Sequence, residues 1–159
     1  YDLEAPISFA RQIAAILERT GLDPARLELE VTESKLMRHA EMAIRALRAM
    51  RALGVTLAID DFGTGYSSLS YLKRLPLNRL KIDRSFVEGL TQDVNDDSIA
   101  RAIIALARTL GLEVLAEGIE AREQAEFLFR EGCIEGQGYL YDRPLTPEEL
   151  AANWLKSSG

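Results

Sequence analysis

The sequence predicts an α/β protein in which helices cover a parallel β-sheet. Short β-branched runs alternate with helical segments, and most of the helical segments stop at a glycine. The strand segments are nearly continuous apolar runs, which is typical of parallel strands buried on both faces. Successive strands lie roughly 20 to 35 residues apart, which suits a (β/α) barrel and equally a doubly wound open sheet. The pattern predicts the class and leaves these two architectures open.

The first half of the chain is expected to hold three strands. Ser8 is predicted to cap a first helix that ends near Gly21. The strands are predicted at residues 27–32, 55–59 and 80–82. A helix over 38–53 and a short helix over 67–75, broken by Pro76, are predicted to connect them.

The second half continues the same alternation. An acidic loop through 93–97 is predicted to precede a helix whose apolar face runs from Ile99 to Leu110. A fourth strand is predicted at 114–116, a helix at 121–131 and a fifth strand at 138–141. Thr146, Pro147 and Glu149 form a capping-box pattern that opens a terminal helix.

The composition limits the classes of protein to consider. The 159 residues are short for a complete (β/α) barrel, which needs about 250. The net charge of −6 argues against a groove for a nucleic-acid polymer. No apolar run approaches the roughly 20 residues of a membrane span, and the chain does not start like a signal peptide.

Cys133 and His39 are the only residues of their types. An internal disulfide, a thiolate zinc site and a Cys-His or Ser-His-Asp centre therefore have no support. Cys133 is predicted to be a buried thiol and His39 a surface residue. Any bound metal would be held by oxygen ligands, which favours Mg²⁺, Mn²⁺ or Ca²⁺.

Residues unsuited to a core follow each predicted strand. They are Glu30 and Glu33, Asp60 and Asp61, Lys81 and Asp83, Glu117 and Glu120, and Gln137. The carboxyl ends of parallel strands in a barrel meet at one rim, where active sites lie. The alternative is that these charges only mark where each strand leaves the core. That alternative explains less well the two adjacent aspartates after Ile59, so the pattern predicts a metal-binding rim.

Residues 60–68, of sequence DDFGTGYSS, form the most unusual stretch. Gly63 and Gly65 permit tight turns and close approach to a ligand. The stretch lacks the lysine and the spacing of a P-loop, so hydrolysis of nucleoside triphosphates is not supported.

Six motifs together resemble the EAL domain family, phosphodiesterases of the bacterial second messenger cyclic di-GMP. They are EVTES at 30–34, IDDFGTGYSS at 59–68, LKID at 80–83, AEGIE at 116–120, QGYL at 137–140 and RPL at 143–145. The family's Glu-Ala-Leu signature, the arginine of that signature and an asparagine on the next strand are absent. The resemblance therefore implies that residues 1–159 are a partial EAL domain, strands four to eight of a TIM-type (β/α) barrel, with an incomplete metal site.

The resemblance also implies a role for each matching residue. Glu30 and Asp60 would bind metal, Asp61 would contact a second metal, and Lys81 would be the general base. Glu117 would lie on the metal-water side, with Gln137 in polar contact near it. Glu33 would hold the loop from Asp61 to Ser68, which includes Phe62 and Gly63, and would not touch substrate. Glu120 would contact ligand, and Asp83 would support the site or be structural.

The function implied is hydrolysis of cyclic di-GMP to pGpG with two Mg²⁺ or Mn²⁺ ions, whereas Ca²⁺ inhibits. The alternative is a receptor that binds cyclic di-GMP without cleaving it. The chain on its own is expected to be inactive, because five strands leave open barrel edges. The domain is expected to be cytoplasmic, to form a homodimer, and to reach a membrane only through domains not present here.

Overall fold

A computed structural model of the protein describes residues 5–38, 40–63 and 69–155. Its centre is a parallel sheet in which each strand lies beside its neighbours in sequence, in the order β1-β2-β3-β4-β5. A doubly wound sheet reverses its strand order at a switch point, whereas a barrel does not. The sequential order therefore selects the barrel arrangement that the sequence left open. The strands are β1 Glu28–Thr32, β2 Thr56–Phe62, β3 Arg79–Ile82, β4 Glu113–Ala116 and β5 Glu135–Gly136.

Helices connect these strands and cover one side of the sheet. They are α1 Ala5–Thr20, α2 Glu33–Arg38, α3 Ala40–Arg51, α4 Leu69–Leu72, α5 Arg84–Glu88, α6 Val94–Leu110, α7 Arg122–Glu131 and α8 Pro147–Leu150. A 3₁₀ turn at Pro24–Arg26 precedes β1, and a π-helical turn at Ala151–Leu155 follows α8. Within the described ranges, none of the helices has the length and apolar character that a bilayer span requires.

Strands β1 and β3 alternate between apolar and polar side chains, which corrects the predicted apolar runs there, whereas β2 and β4 keep such runs at residues 57–59 and 114–116. Leu57, Ile59, Leu80 and Ile82 are fully buried in the core that the helices share. The intervening positions carry charge, as at Arg79 and Lys81 of β3 and at Glu28 and Glu30 of β1. Side chains two residues apart lie on the same face of a strand, so the sheet has an apolar face and a charged face.

Three helix starts differ from the prediction. The first helix begins at Ala5, so Ser8 lies inside it and is not its cap. The helix predicted over 38–53 is observed as α3 Ala40–Arg51, and a short helix that was not predicted, α2 Glu33–Arg38, precedes it. The predicted acidic loop is mostly helix: Asp93 is the N-cap, and its side chain accepts a hydrogen bond from Asn95 N at 2.7 Å. Acidic residues are favourable in a first turn because of the helix dipole, which explains why they fit there.

The prediction of a fifth strand at 138–141 is wrong. The strand begins three residues earlier, where Glu135 pairs with Leu115 and Gly136 with Ala116. Residues 138–141 form a turn instead, closed by a 3.1 Å bond from Tyr141 N to Gly138 O. A Cβ at Gly138 would lie 2.2 Å from the backbone of Ile119, so glycine is required there. The apolar and aromatic residues at 138–141 are typical of a strand, but the close approach of Gly138 to Ile119 places this segment in a turn.

The capping box at Thr146 is confirmed. The Thr146 hydroxyl accepts a hydrogen bond from Glu149 N, and the Glu149 carboxylate accepts one from Thr146 N. The predicted helix over 67–75 is observed as α4, with residues 67 and 68 outside the described part of the chain. His39, predicted to be a surface residue, also lies outside it.

Cys133 is 4% exposed, which confirms its predicted burial. Its thiol donates to Glu135 O at 3.3 Å, and burial raises its pKa to about 11. A thiol with a raised pKa stays protonated at pH 8, and the thiolate is the reactive form. We expect the folded protein to react with Ellman's reagent at pH 8 at least about 100-fold more slowly than the protein unfolded in guanidinium, since two pKa units change the thiolate fraction by that factor. Equal rates in the two states would contradict this burial.

Candidate active site

Three carboxylates from different strands meet at one ammonium group. Lys81 Nζ lies 2.6 Å from Glu30 Oε1, 2.6 Å from Glu117 Oε1 and 3.4 Å from Asp60 Oδ1. Glu30 belongs to β1 and Asp60 to β2, and Glu117 follows β4 directly. The side chain of Lys81 is only 4% exposed. We call these four residues the upper charge layer.

The upper charge layer keeps Lys81 protonated. Burial by itself lowers the pKa of a lysine, but the hydrogen bonds to Glu117 and Glu30 and the charge of Asp60 outweigh it and raise this pKa. The pKa of Glu117 is also raised, mainly by burial and in spite of Lys81. Three carboxylates around one ammonium give the ionised layer a charge of −2.

The end of β2 presents two adjacent aspartates in different ways. Within the part of the chain that the structure describes, Asp60 Oδ1 is buried and has no hydrogen-bond partner, although Lys81 Nζ lies 3.4 Å from it. Asp61 has a φ of 54°, and the register between β2 and β3 shifts between Ile59 and Phe62. Such an irregularity re-aims the side chains at a strand end. The pKa of Asp61 is raised, first by burial and then by the neighbouring charges of Asp60 and Asp83.

Glu33 fixes the start of the glycine-rich loop. It is 1% exposed, and its Oε2 accepts a hydrogen bond from Gly63 N at 3.0 Å. Gly63 has a φ of 100°, and a Cβ there would lie 2.9 Å from the ring of Phe86. Phe62 is buried beside it and pairs with Ile82. Residues 64–68 of the loop lie outside the described residues.

The remaining predicted residues fall into two groups. Gln137 donates to Glu117 Oε1 at 2.7 Å, so it joins the upper charge layer. Glu120 instead pairs with Arg84 at 3.0 Å, beside a cavity that Gln137 also lines. Asp83 is the N-cap of α5 and accepts from Ser85 N at 2.9 Å. Gln137 thus contacts the upper charge layer, whereas Glu120 forms its ion pair with Arg84.

The sequence analysis missed a second cluster, below the first. Arg79 contacts Glu28 at 3.0 Å, Glu113 at 2.9 Å and Glu135 at 2.9 Å, and so joins β3 to β1, β4 and β5. We call these four residues the lower charge layer. The spacing of two between Arg79 and Lys81, and between Glu28 and Glu30, is the signal that could have revealed it.

The donors of the upper charge layer suit a hard cation such as Mg²⁺ or Mn²⁺. The atoms that would bind the cation are all carboxylate oxygens, and their combined negative charge exceeds the positive charge of Lys81. Within the described residues, no group donates a hydrogen bond to Asp60 Oδ1. Within the described ranges, no three acidic, histidine or cysteine side chains already surround one ion position. Lys81 Nζ is the cation that lies among these oxygens.

The profile of the EAL domain family matches residues 2–144, which is most of the chain. The chain belongs to the EAL domain family. The Glu30, Asp60, Lys81 and Glu117 cluster is therefore a cluster within an EAL domain, and the α/β architecture matches part of the EAL barrel.

Two relatives from Pseudomonas aeruginosa resemble this EAL chain in sequence. The protein named bifunctional diguanylate cyclase/cyclic di-GMP phosphodiesterase MucR is 53% identical over 137 residues, 86% of this chain and 20% of MucR. The protein named cyclic di-GMP phosphodiesterase NbdA is 51% identical over 138 residues, 87% of this chain and 18% of NbdA. The EAL chain thus spans a small part of the length of these relatives.

Solved structures resemble the EAL chain over most of its length. The phosphodiesterase of MucR in complex with c-di-GMP has a TM-score of 0.87 and 49% identity, covering 93% of this chain and 60% of that one. BlrP1 of Klebsiella pneumoniae, in a manganese and cyclic di-GMP complex, has a TM-score of 0.81 and 32% identity, covering 89% and 36%. BlrP1 in the corresponding calcium complex has a TM-score of 0.79 and 33% identity, covering 85% and 34%.

Lys81→Met tests the upper charge layer through stability. Removing the ammonium leaves three carboxylates facing one another, so we expect a loss of about 3 kcal/mol in the free energy of unfolding at pH 7 with EDTA present. Acid protonates the carboxylates and relieves their repulsion, so the loss should shrink toward pH 4. Urea unfolding at both pH values measures it.

The matched control is Lys73→Met, which removes an exposed lysine from the end of α4. It should change the stability by less than about 0.5 kcal/mol at either pH. A loss for Lys81→Met that is independent of pH would show that its cause is packing and not charge.

Proposed function

We propose that the chain forms the part of a cyclic di-GMP phosphodiesterase that carries Lys81 and three of its acidic residues. The supporting observation is the upper charge layer. In it Glu30 and Glu117, which are about 87 positions apart in sequence, both contact the buried amine of Lys81. The proposed reaction is metal-dependent hydrolysis of cyclic di-GMP to pGpG. The names of MucR and NbdA agree with it.

In this proposal Glu30, Asp60 and Asp61 hold Mg²⁺ or Mn²⁺. Bound there, such ions would supply the positive charge that stabilises the attacking and leaving oxygens of a phosphodiester. The hydrogen-bond deficit at Asp60 Oδ1 supports its assignment as a ligand. The excess of three carboxylates over one ammonium supports the need for added cations.

Lys81 is proposed to accept a proton from the attacking water. A general base must be neutral, whereas the surrounding carboxylates raise the pKa of Lys81 and keep it charged. The proposed role therefore requires that the negative charge around the amine be compensated. The burial of Lys81 then favours the neutral amine, because burial disfavours charge.

The other residues would orient this centre. Gln137 holds one oxygen of Glu117, which fixes the carboxylate on the side of the layer facing β5. Glu33 anchors Gly63 and with it the loop that follows Phe62. Asp83 acts on Asp61 by its charge, and Glu120 with Arg84 would contact the ligand.

The proposed partner is cyclic di-GMP, an intracellular messenger, which implies a cytoplasmic location for the domain. A homodimer through the EAL domain and a membrane attachment through other domains complete the proposal. The two charge layers on the charged face hold two cations among six carboxylates. Their net negative charge disfavours a nucleic-acid polymer as partner.

Hydrolysis of cyclic di-GMP by the full-length protein tests this proposal. We expect Mg²⁺-dependent production of pGpG, measured by chromatography, and a fall in kcat of at least about 100-fold for Asp60→Asn and Lys81→Ala. Glu123→Gln, at an exposed carboxylate, and Lys73→Ala, at an exposed lysine, should leave kcat within about twofold.

Unchanged turnover in Asp60→Asn and Lys81→Ala would refute the roles given to these residues. Tight binding of cyclic di-GMP by calorimetry, without product after long incubation, would instead identify a receptor. The contacts of Lys81 with three carboxylates favour this second function, because they raise the pKa of Lys81 and a protonated lysine cannot act as a general base.

Residues 1–159 produced alone are expected to show no hydrolysis. The strands β1 and β5 each have one neighbour in the described sheet, so each exposes an edge of unpaired backbone groups. Several large apolar side chains near β5 are also exposed, including Phe129 at 67% and Ile134 at 76%. Turnover by this segment equal to that of the full-length protein would contradict the expectation.

A further inference from the structure

We propose that Gln124 is a positioning residue for the reaction, and that it acts by holding the loop that carries Glu117. We call residues 117–121 the β4 loop. This inference rests on the proposed function, since it assigns Gln124 a role through Glu117. The residue lies in the first turn of α7, away from the upper charge layer, and the strand-end pattern of the sequence does not include it.

The side-chain amide of Gln124 is buried, and both of its ends are fully used. Its Oε1 accepts from Glu120 N and from Ala121 N, both at 2.9 Å. Its Nε2 donates to Val87 O at 3.0 Å and to Glu88 O at 3.3 Å. Only 7% of the residue is exposed. Gln124 therefore joins the backbone of the β4 loop to the backbone at the end of α5.

These bonds satisfy backbone groups at the start of α7 and at the end of α5. Ala121 is the N-cap of α7 and has no side-chain acceptor, and Gln124 at the third helical position supplies the other half of a capping box by accepting from Ala121 N and Glu120 N. At the end of α5, Val87 O also accepts from Leu90 N at 3.2 Å, and the Gln124 amide adds one hydrogen bond to Val87 O and one to Glu88 O. Only an amide combines an acceptor with two donors at this length of side chain.

The β4 loop is pinned on its other side as well. Ile119 N donates to Gln137 O at 3.1 Å, and Leu140 N donates to Ile119 O at 2.9 Å. Gly118 packs so closely that a Cβ there would lie 2.3 Å from Arg84 Cγ. The loop is thus fixed between the 137–140 turn and α5, and Gln124 supplies side-chain hydrogen bonds on the α5 side.

Glu117 is the first residue of this loop and the only one of its five that contacts Lys81 among the described contacts. Its carboxylate is shared between Lys81 and Gln137, each within 2.7 Å. Movement of the β4 loop by one ångström would break this geometry, because hydrogen bonds weaken beyond about 3.2 Å. Gln124 therefore fixes the carboxylate by fixing the loop, without contacting it.

The test compares Gln124→Met and Gln124→Glu in the full-length protein. Methionine has a similar size but loses all four bonds, whereas glutamate keeps the acceptor for Glu120 N and Ala121 N. We expect kcat to fall about 10- to 100-fold for Gln124→Met, the range seen when partners that orient reactive groups are removed. KM should change less than kcat, and Gln124→Glu should lie between Gln124→Met and the unaltered protein. Gln92→Met, at an exposed glutamine, is the matched control.

A double-mutant cycle separates positioning from a general loss of structure. In the Glu117→Gln background, Gln124→Met should have little further effect on kcat, because the group it positions is already gone. An equal loss in both backgrounds, or an unchanged kcat in Gln124→Met, would overturn the inference. If Gln124→Met does not fold, Gln124→Glu serves in the same cycle.

Amide hydrogen exchange provides a readout that does not require hydrolysis. Glu120 and Ala121 should lose at least tenfold in protection in Gln124→Met, and they should retain most of it in Gln124→Glu. Full protection in Gln124→Met would refute the anchoring role even in an active protein. Absence of hydrolysis by the unaltered protein would refute the proposed function, while the exchange result would still decide whether Gln124 anchors the loop.

Discussion

The ion pairs of Lys81 impose the strictest requirement on this structure. A buried ammonium is stable only with carboxylates close to it, and those carboxylates come from β1, β2 and the end of β4. The strands must therefore lie in one order, with their carboxyl ends level. The same contacts bring together the acidic groups that a hard cation needs, so the interaction that holds the rim together also forms the candidate site.

The lower charge layer repeats this arrangement toward the amino ends of the strands, with Arg79 in place of Lys81. Two layers on the same face fix the register of the strands. A slip of one residue in β3 would place Leu80 among the carboxylates and bury Lys81 against the helices, which is unfavourable on both faces. The charged face thus specifies the position of the site as firmly as the apolar core does.

Buried polar side chains outside the strands control the loops around the rim. Glu33 accepts from Gly63 N, and Gln124 links the β4 loop to α5. Both residues are almost fully buried, so their bonds are protected from water and costly to break. The strands therefore fix the reactive groups, and these buried residues fix the loops that approach them.

The sequence by itself determined the α/β class, the burial of Cys133, most helix ends and the residues at the strand ends. Such features depend on local composition and periodicity, as at Gly111, which ends α6 in the left-handed conformation. The motifs also identified the family, because they occur together in one order. The tertiary structure decided the position of β5, which begins three residues before the predicted strand because Gly138 approaches Ile119 closely and lies in a turn. It also decided the partners of Arg79 and Glu120 and the bonds from Gln124 to α5. These join residues more than 30 positions apart, so they depend on how the strands and helices pack and leave no local pattern.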